Sequence, residues 1–250
     1  MNHLQNNRSA PSKLYSDYGW IYEIFYEKHF NYPQIASLLE KHLKKYQIKT
    51  ILHIGSGPGH LTKLLVDNGF DITGLDNSGE MIEMARKIIP DVKFVKDDFR
   101  EINLKGKFDA VISIGRTFTH IISDKDVSNS LKCFRRVLRN NGILLFDNFK
   151  SEKMNTGKIF NDIITIKNRG YKITRKSKLE LLSKKPSVGK WKYTFEVAKN
   201  LHTAKYPNED TIRAFSKKEI SSFLKKSGFK IIKFAPNFDN VSFLTIARKI

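Results

Sequence analysis

The ten residues Ile51-Leu52-His53-Ile54-Gly55-Ser56-Gly57-Pro58-Gly59-His60 limit this chain more than any other stretch. A strand-like apolar run enters three glycines at alternate positions. It leaves into a helix-like pattern, HLTKLLVDNG over 60–69, with Gly69 as its stop. Glycine lets backbone N–H groups approach a ligand closely, and a strand-to-helix turn of this kind sets the ligand at the carboxyl end of a parallel sheet. The spacing is G-x-G-x-G. A dinucleotide fingerprint needs a third glycine at position 60, where the chain has His60, so that histidine is expected to start the helix and a dinucleotide is disfavoured.

After the loop, strand and helix patterns keep alternating. DITGLD (71–76) reads as a strand, and Asn77 with Glu80 three residues later signals a helix start for SGEMIEMARKII. VKFVKDD (92–98) and FDAVISIG (108–115) read as strands three and four. SDKDVSNSLKCFRRVLRNNG (123–142) reads as a helix with a glycine stop, and ILLFDNF (143–149) as strand five. Strands separated by helices of this length predict a parallel sheet covered on both faces. Ahead of the loop, 14–46 carries apolar and aromatic residues at helical spacing on both sides of Pro33. Beyond residue 150, NDIITIKN, YKITRKSKLELLS and KWKYTFEVAKNLHTA read as strands with no helix between them. Turns at 168–170 and 186–189 then make 155–214 an expected antiparallel insertion. A helix over 216–229 and two strands, KIIKFAP and VSFLTIARK, close the chain, while the polar residues 1–13 are expected to be loosely held.

Composition narrows the class. The 250 residues suit one domain carrying an insertion, and 40% apolar residues with a mean hydropathy of −0.41 suit a globular protein. No apolar run reaches the roughly 18 residues a membrane span needs, and MNHLQNNRSAPSK lacks the apolar core of a secretory signal. A single cysteine, Cys133, excludes an internal disulfide framework and any multi-cysteine metal site, and a cytoplasmic location is the simplest expectation. The net charge of +20 is uneven: residues 1–150 hold 22 Lys+Arg and 17 Asp+Glu, net +5, and residues 151–250 hold 23 and 8, net +15. A basic C-terminal part suits nucleic acid or an anionic substrate. Most of the excess is lysine, which on solvated faces needs no ligand to explain it.

The chemistry-bearing residues fall at successive strand ends. Asp76 ends strand two, where a carboxylate can accept ribose hydroxyls. Asp97 and Asp98 end strand three, within reach of an adenine amino group, with Phe99 able to pack on the ring; Ser113 to Arg116, including Ile114 and Gly115, close strand four. Each aspartate alone is equally a cap or turn residue. Their order along the sheet is what points to a ligand.

With ILHIGSGPGH, GLDNSGEMIEMA, VKDDFR, FDAVISIG and RVLRNNGILLF in view, the chain resembles the class I S-adenosylmethionine-dependent methyltransferases over about residues 14–150. Within that family it looks most like small-molecule N-methyltransferases, in particular dimethyltransferases of nucleotide-linked amino sugars. YEIFY (22–26), TFTHI (117–121) and the antiparallel insertion carry this finer likeness. The resemblance implies an α/β, Rossmann-like seven-stranded sheet in the order 3-2-1-4-5-7-6, with 14–46 as a helical lid and 155–214 as the insertion. It implies S-adenosylmethionine as cofactor, contacted by Tyr26, His53, Gly55, Ser56, Gly57, Gly59, Asp76, Asn77, Met81, Asp97, Asp98, Phe99, Ile114 and Gly115. It implies His120, in the loop after strand four, as the group beside the acceptor, with Tyr22 as its partner.

His53 departs from the family, which has an acidic residue there. Neutral, it still hydrogen-bonds; protonated, it repels the cofactor's ammonium and sulfonium. Weak cofactor binding, or a relative without turnover, are the other readings of this position. Tyr18, Tyr22 and Tyr26 lie at i, i+4 and i+8 on one helix face, as core packing or as a donor-side wall. Arg116 is either a contact for substrate phosphate or carboxylate, or an ion-pair partner. The expected acceptor is a small molecule, acidic or phosphorylated in one version, with nitrogen favoured over oxygen. RNA is the alternative. Strand four ends in SIGR and lacks the Asn/Asp-Pro-Pro-aromatic run of base-amino methyltransferases; no His/Cys cluster has metal spacing, and oligomeric state is not legible.

Overall fold

A computed structural model describes residues 12–157 and 159–250; the expectation for the polar start falls largely on residues 1–11, outside the described residues. The glycine loop follows strand β1 (Thr50–Ile54) and opens helix α3 (His60–Asp67). Alternation then continues through β2 (Asp71–Asp76), α4 (Gly79–Ile88), β3 (Lys93–Lys96), β4 (Phe108–Ser113), α5 (Asp124–Val137) and β5 (Leu138–Phe149). The last strands, β10 (Phe229–Pro236) and β11 (Ser242–Lys249), complete a seven-stranded sheet in the order β10-β11-β5-β4-β1-β2-β3. Counting only these strands, that is the expected 3-2-1-4-5-7-6. β1, β2, β3, β4 and β5 pair in parallel, and β11 runs antiparallel to both neighbours.

Apolar patterning explains the layers. β1 is buried on both faces at Ile51, Leu52 and Ile54, as a central parallel strand must be. Helices α2 (Tyr32–Lys45) and α3 cover one face through Ile35, Leu39, Leu43, Leu61 and Leu65. Helices α5 and α7 (Lys217–Lys226) cover the other through Leu131, Phe134, Ile220 and Leu224. The order reverses between β1 and β4, which opens a crevice at their carboxyl ends.

Three local expectations are corrected. The N-cap of α4 is Ser78, whose Oγ accepts from the Met81 amide at 3.2 Å, and not Asn77. Asp76 explains the shift, because its Oδ1 takes the Ser78 N–H at 3.0 Å and holds the chain out of the helix for one residue more. Helix α5 stops at Val137 and not at Gly142. Fully buried Leu138 is drawn into the sheet opposite Phe108, and Arg139 reaches back to Asp109. The stretch KWKYTFEVAKNLHTA is two strands: Asn200 takes φ +54° and Leu201 is fully exposed at the tip of a hairpin.

The insertion is therefore four strands, β6 (Asp162–Asn168), β7 (Tyr171–Lys184), β8 (Ser187–Lys199) and β9 (His202–Ala214), in sequential antiparallel order. Pro207 sits in β9, an edge strand, where a missing N–H costs no ladder bond. Helix α1 (Gly19–His29) buries Ile21 and Phe25 against Ile173, Phe195 and Val197 of this second sheet. The outer face is charged and self-paired, with Lys176–Glu196, Lys190–Glu209 and Lys192–Glu180 contacts. Both ends of the insertion meet at one point. Phe215 N donates to Phe149 O at 2.9 Å, and Ser151 N to Phe215 O at 3.2 Å, beside a short helix α6 (Ser151–Met154). Arg213, 2% exposed, fastens β9 to the main sheet's helices through Ile122 O, Asp124 and Glu219.

Candidate active site

The loop after β1 is held open by positive φ angles at Gly55 (+66°), Gly57 (+54°) and Gly59 (+92°), which L side chains rarely adopt. At Gly55 a Cβ would also lie 2.2 Å from Thr117 Oγ1, so the loop packs against the segment after β4. Around Gly57 no atom lies within 4 Å of a Cβ position, so this side of the loop faces open space. The Gly57 N–H donates to Asp76 Oδ2 at 2.9 Å. Ser78 N donates to Oδ1, and the acceptor capacity that the backbone N–H groups leave over is available to ribose hydroxyls. Burial raises the pKa of Asp76, while backbone bonds from Ser78, Gly57 and Asn77 and the charge of His120 hold it down.

His53 is 2% exposed and its Nδ1 lies 2.8 Å from the Thr62 hydroxyl on α3; Nε2 is buried without a partner. Burial alone pushes its pKa down to about 4. The ring is therefore neutral at physiological pH and leaves the cofactor's cationic centres unopposed. Ser56 and Ser113 Oγ are buried and unpaired beside it in sequence and sheet order. Met81 and Ile114 are buried, and Asn77 is exposed.

At the end of β3 the two aspartates have local partners. Asp97 accepts from the Asp98 and Asn103 amides, both at 2.8 Å. Asp98 pairs with Arg100, whose Nη2 lies 2.5 Å away. Phe99 leans toward Phe134 of α5, with ring centroids 6.3 Å apart.

Beyond β4, Gly115 (φ +90°) and Arg116 (φ +72°) turn the chain into a short 3-10 helix, η2 (Thr117–His120). Exposed His120 ends it, its ring edge-on to Tyr15 at 5.9 Å. Tyr15 belongs to a 3-10 turn, η1 (Lys13–Tyr15), ahead of α1. Its carbonyl accepts from the Ser78 hydroxyl, so the N-terminal segment is tied to the N-terminus of α4. Tyr22 stacks between Tyr15 and Tyr26, at 5.5 and 4.5 Å. Its phenol is held protonated by burial, then by Tyr32, Tyr26 and Asp76, against the charge of Arg116. Tyr18 does not share this wall. It is the N-cap of α1 and packs on Tyr206 at 5.1 Å.

Tyr26 accepts from Arg175 Nη1 at 3.2 Å, which commits its hydroxyl to the insertion. Arg116 pairs with Asp239, lies over Phe149 at 4.9 Å, and gives its amide to Asp147 at 2.9 Å. Its guanidinium thus has an internal carboxylate. Burial pushes Asp147 up to about 6 despite the Arg116 and Asn237 contacts. His60 packs on Tyr32 at 5.4 Å and begins α3, as its position in the loop predicts. Spacing gave no sign of Tyr15 or of Ser78; both act through the fold of the chain's first described turn over α4.

Among the described residues, no group of three His, Cys, Asp or Glu could hold a metal ion, and no helix is long and apolar enough to cross a membrane. The strand order, the glycine loop and the carboxylate at the end of β2 are those of the class I S-adenosylmethionine-dependent methyltransferase fold. Residues 51–142 match the family described as "Methyltransferase domain". The chain is 34% identical over 113 residues to a glycine/sarcosine N-methyltransferase of Aphanothece halophytica, a match covering 43% of each chain. It thus spans under half the length of that curated relative. In fold it is similar to DesVI of Streptomyces venezuelae (TM-score 0.83, 18% identity, covering 94% of this chain and 99% of that one). It is also similar to S-adenosylmethionine-bound CalS10, an amino pentose methyltransferase of Micromonospora echinaspora (TM-score 0.79, 15% identity, covering 98% and 100%).

Proposed function

We propose that this chain methylates a nitrogen of a small, amine-bearing molecule, with S-adenosylmethionine as donor, as a single domain in which 14–46 is the lid and 155–214 the acceptor-side wall. The observation that carries the reading is the Asp76 carboxylate, pinned by Gly57 and Ser78 N–H groups at the switch point, with acceptor positions to spare beside an open glycine face. Bound there, the cofactor would supply an electrophilic methyl group on a sulfonium. Asp76 would hold its ribose and the open loop at Gly57 its amino-acid end. Met81, Phe99 and Ile114 would flank the adenine, and Asp97 and Asp98 would shape the β3 loop beneath it.

The chain's own residues have a proton to manage, because an amine attacks only when neutral. His120 stands at the mouth of the wall formed by Tyr15 and Tyr22, where it can accept that proton and pass it to solvent. Tyr22, held as a neutral phenol, can orient the amine and keep water away from it. Alignment of this kind is worth roughly 7–11 kcal/mol of a barrier. Nitrogen is favoured because the glycine/sarcosine enzyme and the amino pentose enzyme both act on amines by name. Half-buried Cys133, free of any disulfide, suits a reducing cytoplasm.

Calorimetric titration with S-adenosylmethionine and with S-adenosylhomocysteine at pH 6 and pH 8 tests the reading. Micromolar affinity is expected at both, and for the product it should differ little with pH, since His53 is neutral throughout. Absence of binding at either pH would overturn it.

A further inference from the structure

Asp210 is a buried carboxyl group with no basic side chain paired to it among the described residues. It lies on β9 and is 8% exposed. By strand alternation it shares a face with Ile212 and Ala214, which pack toward Phe149 and Trp191. Its Oδ2 accepts from the Tyr193 hydroxyl at 2.6 Å, and Tyr193 in turn accepts from Asn208 Nδ2. Among the described residues no Lys, Arg or His forms an ion pair with it. The two buried guanidiniums of this sheet are engaged elsewhere, Arg175 by Tyr26 and Asp162, and Arg213 by Ile122 O, Asp124 and Glu219. One neutral hydroxyl leaves most of a carboxylate's lone pairs empty, and a buried charge is costly unless it is paired.

What surrounds the carboxylate fits a ligand. Trp191 is its partner across the β8–β9 ladder, and the indole N–H is buried with nothing to bond. Arg213, three residues on, donates to Ile122 O, so this half of β9 runs beside the segment that carries His120. Tyr15 links the two: its ring meets His120 and Tyr22, and Asp210 is the leading charge acting on its phenol, after burial itself. Tyr15, Tyr22, Trp191 and Tyr193 pack in one aromatic cluster, with His120 edge-on to Tyr15 and Asp210 bonded to Tyr193.

We infer that Asp210, oriented by Tyr193, receives the cationic amino group of the acceptor in a chamber walled by Tyr15, Trp191 and Tyr193. This rests on the acceptor being an amine, as proposed above. The carboxylate gathers the amine in its protonated form. His120 would take the proton before transfer; as the N–CH3 bond formed and the S–CH3 bond broke, the sulfonium's positive charge would pass to nitrogen, again facing Asp210, and S-adenosylhomocysteine would be the leaving group.

The test needs no turnover. Benzylamine, cationic with a ring suited to aromatic walls, is compared with its neutral isostere benzyl alcohol by calorimetry or ligand-observed NMR, with and without S-adenosylhomocysteine. Wild type should prefer benzylamine by about tenfold, the scale of a charge-assisted hydrogen bond. Asp210→Asn should bring the ratio to about one, Asp210→Glu should keep a preference, and affinity for S-adenosylhomocysteine should be unchanged in both. A wild-type ratio near one, or a ratio that survives in Asp210→Asn, overturns the inference. If Asp210→Asn does not fold by circular dichroism, Asp210→Ser is read in the same way. Failure of S-adenosylhomocysteine to bind wild type instead counts against the methyltransferase reading, and the amine-to-alcohol ratio is still read without it.

Discussion

His53 shows how a strand end can do without an acidic side chain and still place no positive charge in the site. Burial keeps the ring neutral, and a neutral imidazole costs the cofactor nothing in repulsion. It does tax stability in acid. A histidine whose folded pKa lies near 4 and whose unfolded value is about 6.5 contributes stability that is complete above pH 6.5 and is lost as pH falls toward 4. The free energy at stake is roughly 3 kcal/mol. His29, also pushed down to about 4, acts in the same direction, and Asp147, pushed up to about 6, acts in the opposite one. The clean measurement is therefore a difference: urea unfolding of wild type and His53→Gln at intervals from pH 4 to 7. The wild type should lose more stability than the variant as pH falls; parallel curves would contradict a buried neutral ring. The sequence made His53 conspicuous as a missing acid, but its neutrality depends on Thr62 and on burial, which no local pattern encodes.

At the scale of elements, α1 works on two surfaces at once. Tyr22 meets Tyr15 of the preceding turn on the side of the candidate site, while Ile21 and Phe25 anchor the insertion. Phe25→Ala should cost about 3–5 kcal/mol, the range for emptying a buried aromatic position, and should loosen the wall at Tyr22 with it. Denaturant melts check the first effect, and a rise in acceptor KM larger than any change in cofactor affinity checks the second. The alternating core was legible because strand, glycine and helix periods repeat without interference. The elements that were misread are those where tertiary contacts overrule a local signal: Leu138 is taken from the α5 pattern by the sheet, and Asp76 delays the cap of α4. The fourth insertion strand was missed because Asn200-Leu201 lacks a Gly or Pro marker and Pro207 weakens the strand pattern. Most of the candidate cofactor residues lie within a short span of chain and could be read together. The proposed acceptor side joins positions from 15 to 210, and spacing says nothing about such distances.

For the whole molecule, the question is what a charge of +20 is for. Much of it lies on the outer face of the insertion sheet, where lysines are matched by Glu180, Glu196 and Glu209 across the strands. Such pairs sit in water and contribute little to stability, but they lower the positive charge that this face offers a nucleic acid backbone. A gel shift with generic RNA should show no retained complex at about 0.15 M salt, the physiological range. A complex that persists there with a steep salt dependence would restore the RNA reading.

The insertion leaves the main sheet at Phe149 and returns at Phe215, and the two residues are hydrogen-bonded to each other. Along the chain, some sixty residues enter and leave the seven-stranded sheet through one doorway, and Arg213 and helix α1 brace them from the sides. On the proposed reading, a lineage that keeps those braces can exchange the rest of the insertion, and with it the choice of acceptor, without disturbing a strand of the sheet or a glycine of the loop.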